Sequence, residues 1–220
     1  AITTDNAASR KTGQPHMVVG LFGVTWLFDV LADLGEVDLG LKILSQTTQP
    51  SLGYMIDSGA TTLWEGWDGT AHTIGHSTSR NHIMFGGGVN RFIMRTVAGL
   101  WIGENPGNSH NWNSVQIGPS RTALARVSGA HVTRESAFGP VTVSWATDFP
   151  RSANDPALTP YSVNITLPLS VRATVTLPWA TTAGNVTTSG SVQVLDSAGN
   201  QIADVHCSTF TNRRISYCDA

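Results

Sequence analysis

Apolar residues recur at three- and four-residue steps through the first hundred positions, which is the period of an amphipathic helix. A first helix is predicted over residues 17–34, with Gly35 as its C-cap. A second is predicted over residues 37–44 and ends before Gln49-Pro50, because a residue before proline disfavours helical backbone. The short turn between the two helices predicts an antiparallel pair.

Residues 51–75 keep no clean period and are rich in Gly, Thr and Trp, which predicts a long loop. A third helix is predicted to begin after the Ser77-Thr78-Ser79 cluster and to reach about residue 98. Gly86, Gly87 and Gly88 fall inside it, at a cost of roughly 1 kcal/mol each relative to alanine. We therefore expect another backbone or a ligand to approach closely there; the alternative is a break between two shorter helices.

Beyond Asn113 the period changes to two, which indicates short strands bounded by turn residues. No helix is predicted among them, so a parallel βαβ arrangement is not expected. The pattern predicts an antiparallel β-sandwich of about 100 residues. A boundary near residues 105–108, with Trp112 in the seam, divides the chain into domains 1–112 and 113–220. The predicted strands are 114–117, 121–127, 130–134, 141–146, 162–167, 171–177, 191–195 and 202–206.

Composition narrows the range of partners. Of the 220 residues 13% are charged, and the formal net charge is -2 with no basic run. This argues against nucleic acid and anionic membrane surfaces as partners. No apolar run approaches the roughly 20 residues that span a bilayer, and the first residues lack a signal-peptide core, so we expect a soluble or already processed chain.

The cysteines and two sequons point to a secreted location. Cys207 and Cys218 flank a turn-like segment and could close a small disulfide loop, or they could be two unrelated free thiols. Asn164 and Asn185 each begin an N-glycosylation acceptor pattern in a Thr-rich half of the chain. Together these features favour an extracellular glycoprotein.

The stretch GATTLWEGWD sets one carboxylate, Glu65, between Trp64 and Trp67. Desolvation can tune the acidity of such a group, and indole faces can support the apolar faces of sugar rings. The structural alternative is that Glu65 pairs with Arg80 while the tryptophans fill the core. His72, His76 and His82 do not match zinc-helix spacing, and no nucleotide-binding fingerprint is present, so neither a metal nor a cofactor is expected.

Longer runs carry a family resemblance. HMVVGLFGVTWLFDVLADLGEVDLGLKIL, PSLGYMIDSGATTLWEGWD, SRNH and VAGLWIG leading to VQIGPS resemble the C-terminal part of the α-L-rhamnosidases of glycoside hydrolase family 78. The resemblance implies an α+β multidomain fold: the C-terminal helices of an (α/α)6 barrel followed by an antiparallel β-sandwich. It also implies inverting hydrolysis of a terminal rhamnosyl glycan or glycoside.

Residue roles follow from the same resemblance. The Glu of the family's W-E-x-W element is the general base, which corresponds to Glu65. The His of its Asn-His pair contacts the sugar, which corresponds to His82. The resemblance makes Asn81, Trp64 and Trp67 neighbours of the site.

The sequence also departs from the family pattern. An inverting glycosidase needs a second carboxyl group, roughly 6.5–9.5 Å from the first, as general acid, and no stretch matches the family's acid. Three or four helices cannot close a twelve-helix ring, so the apolar faces of four aromatic residues would be exposed. We therefore expect a complementary chain that completes the barrel and supplies the acid. The aromatic residues are Phe22, Trp26, Phe85 and Phe92, and the carboxylates that could replace the acid within this chain are Asp29, Asp33, Glu36 and Asp57.

Two other functions stay open. The missing acid favours a carbohydrate-binding or structural glycoprotein that holds sugar without cleaving it. A related glycosidase acting on another sugar is the third possibility, because a fold alone does not fix the substrate.

Overall fold

The computed structural model describes residues 11, 13–17, 19–67, 79–102, 114–147, 161–169, 171–176, 190–195, 201–207 and 214–216. Helices precede strands along the chain, as the change of period predicts. The helical part contains α1 (Leu21–Asp33), α2 (Val37–Leu44), α3 (Leu52–Asp57), a 3₁₀ turn (Ile83–Gly86), α4 (Gly87–Phe92) and a π-helical turn (Ile93–Val97). The strands are β1 (Leu100–Ile102), β2 (Ser114–Ile117), β3 (Gly129–Ser136), β4 (Gly139–Thr147), β5 (Tyr161–Thr166), β6 (Arg172–Thr176), β7 (Gly190–Leu195), β8 (Gln201–Cys207) and β9 (Arg214–Ser216), with α5 (Arg121–Arg126) between β2 and β3.

Helix α1 ends at the glycine turn that the sequence predicts. Gly35 has a positive φ of 77°, and Glu36 N donates to Leu31 O at 2.7 Å across the turn. This left-handed residue reverses the chain into α2, whose predicted bounds are confirmed. The predicted loop 51–75 is wrong at its start, because the buried Ser51 caps α3 by accepting a hydrogen bond from Tyr54 N at 3.0 Å.

The glycine-rich helix begins at Ile83, later than the serine cluster predicted. It continues across the three glycines but changes from 3₁₀ to α geometry at Gly87. A Cβ added to Gly88 would lie 2.3 Å from Thr25 O of α1. The expected close approach of another backbone is therefore confirmed, and it packs α4 directly against α1.

The helical core is built around aromatic side chains. The rings of Phe28 and Phe92 lie 5.4 Å apart, and Phe92 is fully buried. Phe85 is only 6% exposed. The expectation that Phe85 and Phe92 expose apolar faces is therefore wrong, because α1 and α2 cover them. Trp145 of β4 joins this core and donates Nε1–H to Val97 O at 3.1 Å, which ties the sheet to the helices.

The strands form three groups among the described residues. A four-stranded sheet has the order β1-β2-β6-β9, a three-stranded antiparallel sheet the order β3-β4-β5, and β7 pairs with β8. Pairing of β2 with β6 is parallel, which corrects the purely antiparallel expectation. Val115 and Ala173 of the first sheet and Val132 and Val143 of the second share one buried cluster. The complete β-sandwich, the closed barrel and the boundary at 112/113 stay predictions.

The segment 121–127 was expected as a strand and is helical instead. Ser120 accepts a hydrogen bond from Ala123 N at 3.0 Å and starts α5, in which Ala123 is fully buried. A helix therefore does interrupt the strands. Among the described residues, no helix is long and apolar enough to cross a membrane.

Candidate functional site

The loop that carries Glu65 lies beside the segment that carries Asn81 and His82. His82 N donates to Leu63 O at 2.7 Å, and Glu65 N donates to Ser79 O at 2.7 Å. The Thr62 hydroxyl donates to the Arg80 carbonyl. Backbone pairing therefore brings the two motifs together, although they are separate in sequence.

The Glu65 side chain folds back onto this pairing. Its Oε2 accepts a hydrogen bond from Ser79 N at 2.7 Å, while the residue as a whole stays exposed. Amide donors to a carboxylate are charge-assisted and directional, so the carboxylate has a defined orientation. The Arg80 guanidinium lies 5.5 Å from the centre of the Trp64 ring.

The two tryptophans have different surroundings. Trp64 is only 6% exposed and belongs to the helical core, as the structural alternative predicts. Trp67 is half-buried, and its Nε1–H donates to Val19 O at 3.0 Å, just before α1. Trp67 therefore keeps part of its surface accessible, whereas Trp64 is packed into the helical core.

His82 is held in an aromatic stack. Its ring lies 5.4 Å from that of Phe85 at an interplanar angle of 7°, and the edge of Phe22 packs against Phe85. His82 Nδ1 is buried and has no hydrogen-bond partner among the described residues. A buried polar atom without a partner is costly, which makes this nitrogen a candidate for a further hydrogen bond. The neighbouring Asn81 is exposed, and its backbone N donates to Ser79 Oγ at 3.1 Å.

Two of the four carboxylates that could replace the general acid are paired with arginines. Asp29 binds Arg91 of α4, and Asp33 lies 3.5 Å from Arg95 of the π-helical turn, so both join α1 to that later helical segment. Glu36 and Asp57 are exposed. Within the described ranges, no three His, Cys, Asp or Glu side chains gather closely enough to hold a metal ion.

Several predicted residues lie outside the described part of the chain: His72, His76, Trp112, Asn185 and Cys218. The backbone of Cys207 is in β8, and Asn164 is exposed on β5, an edge strand of its sheet. The disulfide, the glycosylation and the secreted location stay predictions.

Known proteins similar to this chain point to one family. A family model described as the bacterial alpha-L-rhamnosidase 6 hairpin glycosidase domain matches residues 2–97. The chain is 35% identical over 134 residues to an alpha-L-rhamnosidase of Streptomyces avermitilis. An alpha-L-rhamnosidase of Formosa agariphila is 29% identical over 134 residues. Residues 2–97 are therefore similar to an alpha-L-rhamnosidase 6 hairpin glycosidase domain, and both of these relatives are alpha-L-rhamnosidases.

Solved structures similar to this chain are also alpha-L-rhamnosidases. An alpha-L-rhamnosidase from Dictyoglumus thermophilum superposes with a TM-score of 0.62 and 26% identity over 91% of this chain. One from Aspergillus terreus superposes with a TM-score of 0.60 over 94% of the chain; at 22% identity it supports the fold alone. The match to the Streptomyces protein spans 59% of this chain but only 12% of that protein, and the Dictyoglumus match spans 20% of that chain. This chain therefore corresponds to a minor part of the length of these relatives.

Ser79 is the site residue that the sequence pattern missed. It contributes a backbone N–H to Glu65, and every residue except proline has such a group, so no residue type could have indicated it. Thr62 was also missed; its hydroxyl helps to hold the pairing. Thr62 lies inside GATTLWEGWD and Ser79 begins SRNH, but nothing in either motif marks them as the residues that hold the loop.

Proposed function

We propose that this chain contributes the general base and part of the sugar site to an inverting α-L-rhamnosidase that releases terminal rhamnose. The observation that carries the proposal is the exposed Glu65 carboxylate, oriented by Ser79 N and held beside the Asn81-His82 segment. Similarity to alpha-L-rhamnosidases supports rhamnosyl glycosides as the substrate class.

In the proposed reaction, a water molecule attacks the anomeric carbon from the face opposite the leaving group. Glu65 accepts a proton from this water as the new C–O bond forms. The glycosidic C–O bond breaks, and a general acid protonates the departing oxygen. His82 Nδ1 binds a sugar hydroxyl, and Trp67 supports the apolar face of the ring.

The general acid comes, in this proposal, from a complementary polypeptide that also completes the barrel. A row of apolar side chains at four-residue steps on α1 supports this part. Phe22 and Trp26 are 78% and 64% exposed, as expected, Val30 is 43% exposed, and Leu34, directly after α1, is 66% exposed. Apolar surface on this scale is rarely left in water, so further helices are the expected cover.

Replacement of the proposed base tests the catalytic role. In the protein purified in its native assembly, Glu65→Gln should lower hydrolysis of 4-nitrophenyl α-L-rhamnopyranoside by several orders of magnitude without changing the unfolding midpoint. Proton NMR of the wild-type reaction should show the β-anomer of rhamnose as the first product. Near-normal turnover in Glu65→Gln would refute the assignment.

A non-catalytic carbohydrate-binding protein is the second candidate. It is favoured by the arginine pairing of Asp29 and Asp33, which leaves neither carboxylate placed as an acid for a sugar at Glu65. Calorimetry on the same assembly separates the two functions. Saturable binding of the rhamnoside with no sugar released over long incubation would support binding alone.

A further inference from the structure

Two reciprocal hydrogen bonds join Glu65 and Ser79. Glu65 N donates to Ser79 O, and Ser79 N donates to Glu65 Oε2, each at 2.7 Å. The second bond uses a side-chain acceptor where a regular strand pair would use a carbonyl oxygen. Among the described residues, the only hydrogen-bond donor to the Glu65 carboxylate is Ser79 N, and it leaves Oε1 without a donor.

Energetics decide whether one such bond can orient the side chain. Fixing a glutamate side chain costs rotamer entropy, but less on the surface than in the core. A hydrogen bond to a charged group is stronger than one between neutral groups. The Ser79 amide is therefore able to hold the carboxylate, and loss of the amide proton would release it.

The donor itself is held in place by three contacts. Ser79 Oγ accepts a hydrogen bond from Asn81 N at 3.1 Å, which fixes a short turn. Thr62 binds the Arg80 carbonyl, and His82 N binds Leu63 O at 2.7 Å. These contacts fix the direction of the Ser79 N–H relative to the loop that carries Glu65.

We propose that Ser79 is a positioning residue, whose amide holds Glu65 Oε2 and leaves Oε1 as the oxygen that accepts the proton of the attacking water. This inference rests on the proposed function, since only there does Glu65 act as a base. The same contacts connect the carboxylate to the backbone of His82, so that the base and the sugar-contacting residue keep a fixed separation. A displacement of about 1 Å at a reacting group can cost roughly 100-fold in rate.

The hydrogen bond can be tested by NMR in the native assembly. With this chain ¹⁵N-labelled, the Ser79 amide proton should lie downfield of its position in Glu65→Gln, because a charged carboxylate is a stronger acceptor than a neutral amide. Equal Ser79 amide shifts in the two proteins would overturn the inference whatever the enzyme activity.

The positioning role is tested in the native assembly with matched substitutions. Ser79→Pro removes the N–H, whereas Ser79→Ala keeps it and removes only Oγ. We expect Ser79→Pro to lower kcat by about 10- to 100-fold with KM within about twofold, and Ser79→Ala, which loses the Asn81 contact but keeps the amide, to lower kcat several-fold less than Ser79→Pro. If Ser79→Pro does not fold, an amide-to-ester replacement at residue 79 removes the same proton with little change of shape.

The outcomes separate this inference from the proposed function. If Glu65→Gln is inactive but Ser79→Pro or the ester keeps wild-type kcat, positioning through Ser79 is wrong and the base assignment stands. If Glu65→Gln stays active, the proposed function fails, while the NMR comparison with Glu65→Gln still reports whether Ser79 holds the carboxylate.

Discussion

At the scale of single residues, Trp67 anchors the Glu65 loop through one indole hydrogen bond to Val19 O. Trp67→Phe keeps an aromatic ring but leaves this carbonyl without its donor. We expect a loss of about 1–3 kcal/mol in the free energy of unfolding, measured by chemical denaturation. We also expect weaker rhamnoside binding, because the loop loses its attachment to the start of α1.

The matched control is Trp26→Phe on α1. Trp26 is largely exposed and lies near Arg91, and phenylalanine keeps an aromatic face for that cation. Its effect should stay within about 0.5 kcal/mol. Equal effects of the two substitutions would show that the indole N–H of Trp67 is not an anchor.

The candidate site was only partly predictable from sequence. Glu65 and His82 carry motif information, and the structure brings their backbones together. The Ser79 donor and the placement of Arg80 over Trp64 depend on contacts between segments that no local pattern describes. A sequence can therefore identify reactive side chains, but the backbone groups that orient them emerge only from the fold.

At the scale of elements, the packing of α4 on α1 depends on Gly88. A Cβ there would meet Thr25 O at 2.3 Å, and this neighbour is backbone that cannot rotate away. We expect Gly88→Ala to destabilise the protein by about 1–3 kcal/mol, measured by chemical denaturation.

The neighbouring Gly87 offers a direct comparison. It has helical φ and ψ, and nothing lies within 4 Å of an added Cβ. Gly87→Ala should therefore stabilise the protein by about 0.4–1 kcal/mol. A destabilisation of similar size for both variants would mean that helix strain, and not the contact with α1, determines the result.

Asp38 joins α2 to α5 and gives the fold a dependence on pH. Its carboxylate lies 2.6 Å from Lys42 and 2.6 Å from Arg126. The hydrogen bond from Lys42 is the largest cause that lowers the pKa of Asp38 from its ordinary value; burial opposes it, and the charge of Arg126 adds to it. Because the folded pKa is lowered, the stabilisation is present above the ordinary carboxyl pKa and is lost as pH falls through the folded value.

The free energy of unfolding of the wild type should therefore fall more steeply than that of Asp38→Asn between about pH 5 and pH 3. Denaturation curves at several pH values measure the two slopes. Added salt should reduce the difference, since the pair is partly exposed. Parallel slopes at low salt would contradict the contribution of this pair.

The sequence predicted a helix correctly where both its apolar period and its end signals were present. The bounds of α2 followed from its apolar period and from the glycine before it. The α5 segment is so short that its apolar positions fit a helical turn and a strand equally well. The cap that Ser120 provides favours the helix. Parallel pairing of β2 with β6 joins segments far apart in sequence, so no local pattern could have revealed it.

At the scale of the whole molecule, one face of α1 exposes a row of large apolar side chains. Its other face forms the helical core with Phe28 and Leu31, both fully buried, whereas Trp26 and Leu34 point outward. A helix that is apolar on both faces is typical of a position between two layers. The chain covers 12% and 20% of the relatives reported above, which leaves ample length in such proteins for the second layer.

The isolated chain should therefore self-associate and bind a hydrophobic dye, and a double substitution Trp26→Gln and Leu34→Gln should reduce both. Both residues are exposed, so the double variant should change the free energy of unfolding by no more than about 1 kcal/mol. Leu169→Gln is the control, because Leu169 is 93% exposed and lies between β5 and β6, outside the apolar row of α1. Sedimentation velocity and dye fluorescence measure the two effects, and in the native assembly the double variant should also weaken association of the complementary polypeptide. A wild-type chain that sediments as a monomer and binds no dye would mean that this face needs no cover, and the proposed source of the general acid would lose its structural support.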